Sequence, residues 1–213
     1  MLDQDFEAII FDCDGTLVDS EPITVAVLVE FVREFGLEMD YEEALALFIG
    51  RDMPGIVTFL ESLVGDELPD SFTDEFRIRQ AAALRETLQP IAGAHDLLDS
   101  MTKPYCVASN APREKIEINL TVTGLCQYFT SDRTFSAYDI QSWKPAPDLF
   151  LHVAEQIGHD PAECVVIEDS AAGIEAGLAA GMQVIGYSAE PAQKASHEVP
   201  FVSSLVELID VLG

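Results

Sequence analysis

Ala8-Ile9-Ile10-Phe11-Asp12-Cys13-Asp14-Gly15-Thr16 is the stretch that decides the fold. Its unbroken apolar run reads as a short strand buried on both faces, and the abrupt change to Asp-x-Asp-Gly reads as a turn at the strand's carboxyl end. Three further runs share the pattern: Tyr105 to Ala108, Cys164 to Ile167 and Gln183 to Gly186. Between them lie segments of helical period, Pro112 to Leu120, Ala146 to Ile157 and Ala171 to Ala180, each begun or ended by Pro or Gly. Alternation of strand and helix predicts an α/β fold: a doubly wound, Rossmann-like parallel sheet with right-handed crossovers.

Glu21 to Leu88 breaks that alternation. It carries only helical patterns, Ile23 to Phe35, Tyr41 to Phe48, Met53 to Leu63 and Ser71 to Leu88, punctuated by Gly36, Gly50, Pro54, Gly65 and Pro69. Such a segment straight after the first strand predicts an α-helical bundle, residues 21–89, inserted into an α/β core made of residues 1–20 and 90–213. Ser20 to Pro22 and Gln89 to Gly93 are the expected joints, with Pro90 and Gly93 suited to hinge strands.

Composition narrows the function classes. With 213 residues, 48% of them hydrophobic, the chain buries roughly 70% of its unfolded surface and is not a disordered sequence. Asp+Glu number 38 against 11 Lys+Arg, a formal net charge of -27. A surface so acidic repels phosphate backbones and anionic headgroups, so neither a nucleic acid nor a membrane surface is an expected partner. No apolar run approaches the roughly 20 residues a bilayer needs, and the start, Met1 to Asp5, lacks the basic and apolar regions of a signal peptide. A cytoplasmic location is the expectation, as a monomer or, alternatively, a homodimer. Cys13, Cys106, Cys126 and Cys164 form no C-x-x-C pair and read as buried free thiols.

In open α/β sheets ligands bind beyond the carboxyl ends of the strands, so the residues there carry the chemistry. Asp12, Cys13, Asp14, Gly15 and Thr16 follow the first run, Ser109 and Asn110 the second, and Glu168 and Asp169 follow Ile167; Lys144 precedes Pro145 in a loop. Taken singly, each has an ordinary role: a turn for Asp-x-Asp, a helix N-cap for Ser109, a solvated charge for Lys144, a capping pair for Glu168 and Asp169. Four carboxylates converging on one crevice would repel unless a cation lay among them, and a hard, oxygen-ligated ion, Mg²⁺ by preference, suits them.

Together, Phe11 to Glu21, Ser109-Asn110, Lys144-Pro145 and Val166 to Ser170 resemble the four motifs of the haloacid-dehalogenase-like hydrolase superfamily, and the helical insert resembles the cap of its phosphoglycolate phosphatase and β-phosphoglucomutase branch. Tyr138-Asp139-Ile140-Gln141 with Trp143-Lys144-Pro145 is similar to the corresponding stretch of the enterobacterial 6-phosphogluconate phosphatases of that branch. The resemblance implies an Mg²⁺-dependent phosphatase acting on a small phosphorylated metabolite, a sugar phosphate or a phospho-sugar acid such as 6-phosphogluconate. Asp12 would be the nucleophile that forms an aspartyl-phosphate. Asp14 would serve as acid and then base, a role that calls for a raised pKa, which crowding by carboxylates can provide. The metal would be held by Asp12, the Asp14 backbone carbonyl and Asp169, with Glu168 acting through water. Ser109, the Asn110 N–H, Gly15, Thr16 and Lys144 would grip the phosphoryl group, Lys144 also neutralising its transition-state charge.

Within the superfamily, carbon–halogen cleavage dispenses with the second aspartate and the metal, whereas this chain has Asp14 and Asp169. Phosphonate cleavage uses a cap lysine, and the first lysine here is Lys103. The alternative is a sugar-phosphate mutase, but the cap carries no His or Lys, and Thr24 stands where such mutases have a histidine. A non-catalytic interaction protein would have lost carboxylates that this chain keeps. Of the cap's cations, Arg33, Arg51, Arg77, Arg79 and Arg85, the loop residue Arg51 is the expected specificity residue; an ion pair with Asp52 or Glu42 is its structural alternative. Arg113 and Lys115 are expected as solvated surface charges, with added positive potential at the rim of the site as their alternative, and Trp143 as core packing rather than a substrate platform.

Overall fold

Among the described residues six strands make one parallel sheet: β1 (Ala8–Phe11), β2 (Tyr105–Ser109), β3 (Thr134–Ser136), β4 (Cys164–Glu168), β5 (Gln183–Tyr187) and β6 (Phe201–Val202), in the order β3-β2-β1-β4-β5-β6. The structure is a computed structural model and describes residues 6–48, 51–188 and 199–212. β1 is central and wholly buried, as its four apolar residues require. The crossovers run one way from β1 to β3 and the other way from β4 to β6, so the switch point falls at β1. Register fixes what meets there. Phe11 pairs with Val107 on one side and Ile167 on the other, which sets Asp12 level with Ala108 and Glu168 at the sheet's carboxyl edge.

The four strands read from apolar runs are all present; β3 and β6, the two edges, are additional. Three and two residues long, with one apolar side chain and two respectively, they carry too little periodicity to be read. Helices α5 (Ala94–Ser100), α6 (Arg113–Val122), α7 (Ala137–Ile140), α8 (Asp148–Ile157), α9 (Ala171–Ala179) and α10 (Ile209–Leu212) belong to the same unit, numbered to follow α1–α4 below. One core cluster packs Leu149, Phe150 and Val153 of α8 and Ile174 and Ala176 of α9 with Ile10, Cys106 and Val166 of the sheet.

The chain divides into two compact units, Met1–Asp19 with Gln89–Gly213, and Ser20–Leu88. The second is helical: α1 (Glu21–Val32), α2 (Tyr41–Phe48), α3 (Met53–Val64) and α4 (Phe72–Thr87). Its core is aromatic, with Phe31 stacked on Phe72 at 4.9 Å and Phe35 edge-on to both. Asp52 caps α3 by accepting from Gly55 N–H, and Gly65, at φ 78, ends that helix in the left-handed conformation. Among the described residues no helix is long and apolar enough to cross a membrane.

Candidate active site

β1 ends in a turn that the sequence makes almost obligatory. Gly15 adopts φ +87, its N–H donates to Val18 O, and Leu17 N–H returns to Cys13 O. A Cβ on Gly15 would lie 2.2 Å from Asp169 Oδ2, so the missing side chain is what admits the Asp169 carboxylate. Thr16, fully buried, donates its hydroxyl to Asp169 Oδ1 at 2.9 Å. The turn thus brings in one carboxylate from its own strand, Asp12, and shapes the seat of another.

Lys144 is the centre of charge. Only 6% exposed, its Nζ donates to Asp12 Oδ1 at 2.5 Å, Glu168 Oε2 at 2.7 Å and Ala108 O at 3.1 Å, using all three of its protons. The Phe150 ring lies 4.9 Å from Nζ. Asn110 steadies the loop: its Oδ1 accepts from Lys144 N–H at 2.9 Å and its Nδ2 donates to Lys144 O at 3.3 Å. The Lys144–Pro145 peptide bond is cis. Burial pulls the Lys144 pKa down, but the Asp12 and Glu168 charges outweigh it and hold the ammonium well above its ordinary value. Burial, then the Glu168 charge, raises the Asp12 carboxyl well above the usual carboxylate range, with Lys144 opposing.

Glu168 is as deeply buried as Lys144. Its Oε1 accepts from the Ser170 N–H and hydroxyl, and a Cβ on Gly173 would stand 1.9 Å from its Oε2, so the first turn of α9 must be bare at that position. Ser170, rather than the pair Glu168 and Asp169, caps α9 by accepting from Gly173 N–H at 3.0 Å. Carboxylate oxygens of Asp12, Glu168 and Asp169 all lie within 4.8 Å of one another. Three carboxylates against one ammonium form an oxygen-only donor set with excess negative charge, which fits a hard divalent cation.

Asp14 faces donors. Lys115 Nζ at 2.6 Å and Asn119 Nδ2 at 2.9 Å both donate to its Oδ1, and the Ser109 hydroxyl donates to Oδ2 at 3.2 Å. Lys115 is therefore a residue of the site and not a solvated charge. The available signal was its spacing: Lys115 and Asn119 lie four apart on one helix face, directly after Ser109-Asn110. Ser109 does not cap α6, whose N-cap is Pro112; its oxygen accepts from Ala111 N–H. Arg113 does form a surface ion pair, with Asp139 at 2.6 Å. Trp143 leaves the core, 37% exposed and edge-on to Tyr138 at 5.3 Å. Cys13, Cys106 and Cys164 are buried free thiols, but Cys126 is exposed. Burial, then the Asp14 and Asp12 charges, pushes the Cys13 thiol up, which suits packing and not nucleophilic chemistry.

Arg51 belongs to the helical unit. It is exposed, with its guanidinium 5.8 Å from the Phe59 ring centroid, and no ion pair with Asp52 or Glu42 is found among the described residues. In the same unit the buried Gln80 donates to Thr24 Oγ1 at 2.8 Å.

The family profile described as haloacid dehalogenase-like hydrolase matches residues 9–187. The chain is 38% identical over 189 residues to the 6-phosphogluconate phosphatase of Escherichia coli K12, covering 88% of this chain and 85% of that protein. It is 30% identical to the fructose-1-phosphate phosphatase of the same organism, covering 84% and 95%. Among solved structures, a haloacid dehalogenase-like protein of unknown function from Agrobacterium tumefaciens superposes with a TM-score of 0.82 at 34% identity, covering 97% of both chains.

Proposed function

Since the chain belongs to the haloacid dehalogenase-like hydrolases and is a phosphoric monoester hydrolase of sugar-phosphate type, we propose that it is an Mg²⁺-dependent phosphatase working through a phosphorylated Asp12. The observation that carries the proposal is the Lys144 clamp: one buried ammonium shared by Asp12 and Glu168 at the strand ends, beside Asp169.

Asp12, buried and held by Lys144, attacks phosphorus while the bond from phosphorus to the ester oxygen breaks. Asp14 gives its proton to the departing oxygen, then accepts one from the water that attacks the aspartyl-phosphate, and release of phosphate returns Asp12 as a carboxylate and Asp14 as the protonated acid. Ser109, the Asn110 N–H and the Gly15-Thr16 turn hold the phosphoryl oxygens, and Lys144 offsets the charge that spreads over them. Asp12, Asp169 and the Asp14 carbonyl, with Glu168 through water, would hold Mg²⁺, which would supply the charge neutralisation that a carboxylate needs to approach a phosphate dianion. The Thr16 hydroxyl and the bare Gly15 orient Asp169, and Ser170 orients Glu168.

The substrate we infer is a phospho-sugar acid or a sugar phosphate, 6-phosphogluconate first, supported by the 38% relative and by the resemblance noted above for Tyr138 to Gln141 and Trp143 to Pro145. Hydrolysis is preferred to the mutase reaction because the Thr24 hydroxyl, at the position of the mutases' histidine, cannot shuttle a proton as imidazole does and is engaged by Gln80. Arg51 is assigned to the substrate's carboxylate. A screen of phosphorylated metabolites with Mg²⁺ and with EDTA, using the native protein and Asp12→Asn, tests these assignments. Metal-dependent phosphate release, highest with 6-phosphogluconate and absent in a folded Asp12→Asn, is expected; full activity in that variant removes the nucleophile. Arg51→Ala should raise KM for 6-phosphogluconate and leave phenyl phosphate unaffected.

A further inference from the structure

We propose that Lys115 and Asn119 form a holding site for the Asp14 carboxylate, so that both act as positioning residues of the reaction; this rests on Asp14 being the acid and base assigned above. The two donors reach the same oxygen, Oδ1, from consecutive turns of α6, while Oδ2 takes the Ser109 hydroxyl. Oδ1 is thereby tied to the helix, and Oδ2 is turned to the phosphoryl-gripping Ser109.

Each donor keeps its place on Asp14 at a local cost. Lys115 stands in the first turn of α6, where a cation opposes the helix dipole. Asn119 is completely buried, and its Oδ1 has no hydrogen-bond partner among the described residues. Rotating that amide to seek one would turn an oxygen toward the Asp14 carboxylate and lose the 2.9 Å bond. Both side chains therefore forgo something locally to keep a donor on Asp14.

In the step concerned, the Asp14 proton passes to the ester oxygen as the bond to phosphorus breaks, and that oxygen keeps the bonding pair. Lys115 retains its proton throughout. Its loss should hurt in proportion to how much the leaving group needs protonation. The test compares kcat/KM, which covers events up to leaving-group departure, for p-nitrophenyl phosphate, phenyl phosphate and a simple alkyl phosphate. For Lys115→Met we expect a fall of about 10- to 100-fold with the alkyl ester and under about 3-fold with p-nitrophenyl phosphate, with most of the loss restored in Lys115→Arg. In an Asp14→Asn background, Lys115→Met should add nothing. Lys115→Gln replaces Lys115→Met if the latter melts below the assay temperature. An equal loss across the three esters, as from a mere phosphate-attracting charge, or additivity with Asp14→Asn overturns the role of Lys115 while leaving that of Asp14. If Asp14→Asn itself is indifferent to the leaving group, both assignments fall.

Discussion

Replacing Gly15 by Ala perturbs two things that can be separated. The first is backbone: at φ +87 an L-residue is disfavoured by about 1–2 kcal/mol. The second is local: the new Cβ would lie 2.2 Å from Asp169 Oδ2, and ordinary contact begins at 3.4 Å, so the carboxylate must retreat by about 1.2 Å. Mg²⁺ accepts oxygen ligands only within a narrow range of about 2.0–2.1 Å, so a retreat of that size takes Asp169 out of the coordination shell. Gly181→Ala is the matched control, because Gly181 has φ +76 and nothing within 4 Å of its would-be Cβ. Both variants should melt lower, by about 2–4 °C for each kcal/mol. Only Gly15→Ala should need more Mg²⁺, by about 10-fold or above, for half-maximal kcat/KM with an aryl phosphate. Equal Mg²⁺ requirements in the two folded variants would refute the claim that Gly15 shapes a metal seat.

Three other outcomes follow from the same geometry. Gly173→Ala sets a Cβ 1.9 Å from Glu168 Oε2, so it should displace the carboxylate from Lys144, lowering kcat and melting temperature together, as measured by steady-state kinetics and calorimetry. At pH 8 an alkylating reagent should label Cys126 and spare Cys13, Cys106 and Cys164. Burial, the largest cause, raises the Cys164 thiol to about 11, leaving about one part in a thousand as thiolate at that pH, and peptide mass mapping reads the pattern. The net charge of -27 repels an anionic substrate, so kcat/KM for a multiply charged phosphate ester should rise as salt is added up to about 0.15 M, and a steep fall would mean that the local cations govern capture.

Much of this was legible in the chain because strand-end residues sit at a fixed place in an open α/β sheet. Once Ala8 to Phe11 reads as the first strand, Asp12, Ser109 and Glu168 must emerge at one edge, and the register of Phe11 with Val107 and Ile167 brings them there. Lys144 was harder, since nothing local distinguishes it from a solvated loop charge; its burial depends on Asn110, which reaches 34 residues along the chain to hold the loop. Lys115 was misread because a lysine in a first helical turn ordinarily points to water, and its partner Asp14 lies 101 residues away. The edge strands escaped for a different reason: two or three residues cannot display a period. Trp143 and Cys126 show the limit of reading burial from residue type, since an aromatic in a loop or a thiol in a single 3-10 turn has no periodic face to declare its side.

The central claim is that Asp12 becomes covalently phosphorylated. Hydrolysis of a phosphorothioate ester, made chiral at phosphorus by its sulfur and two oxygen isotopes and cleaved in water carrying the third isotope, tests it without requiring an intermediate to accumulate. Two successive in-line displacements, by Asp12 and then by water, predict thiophosphate released with retention of configuration; inversion would mean that water attacks the ester directly and would contradict the account.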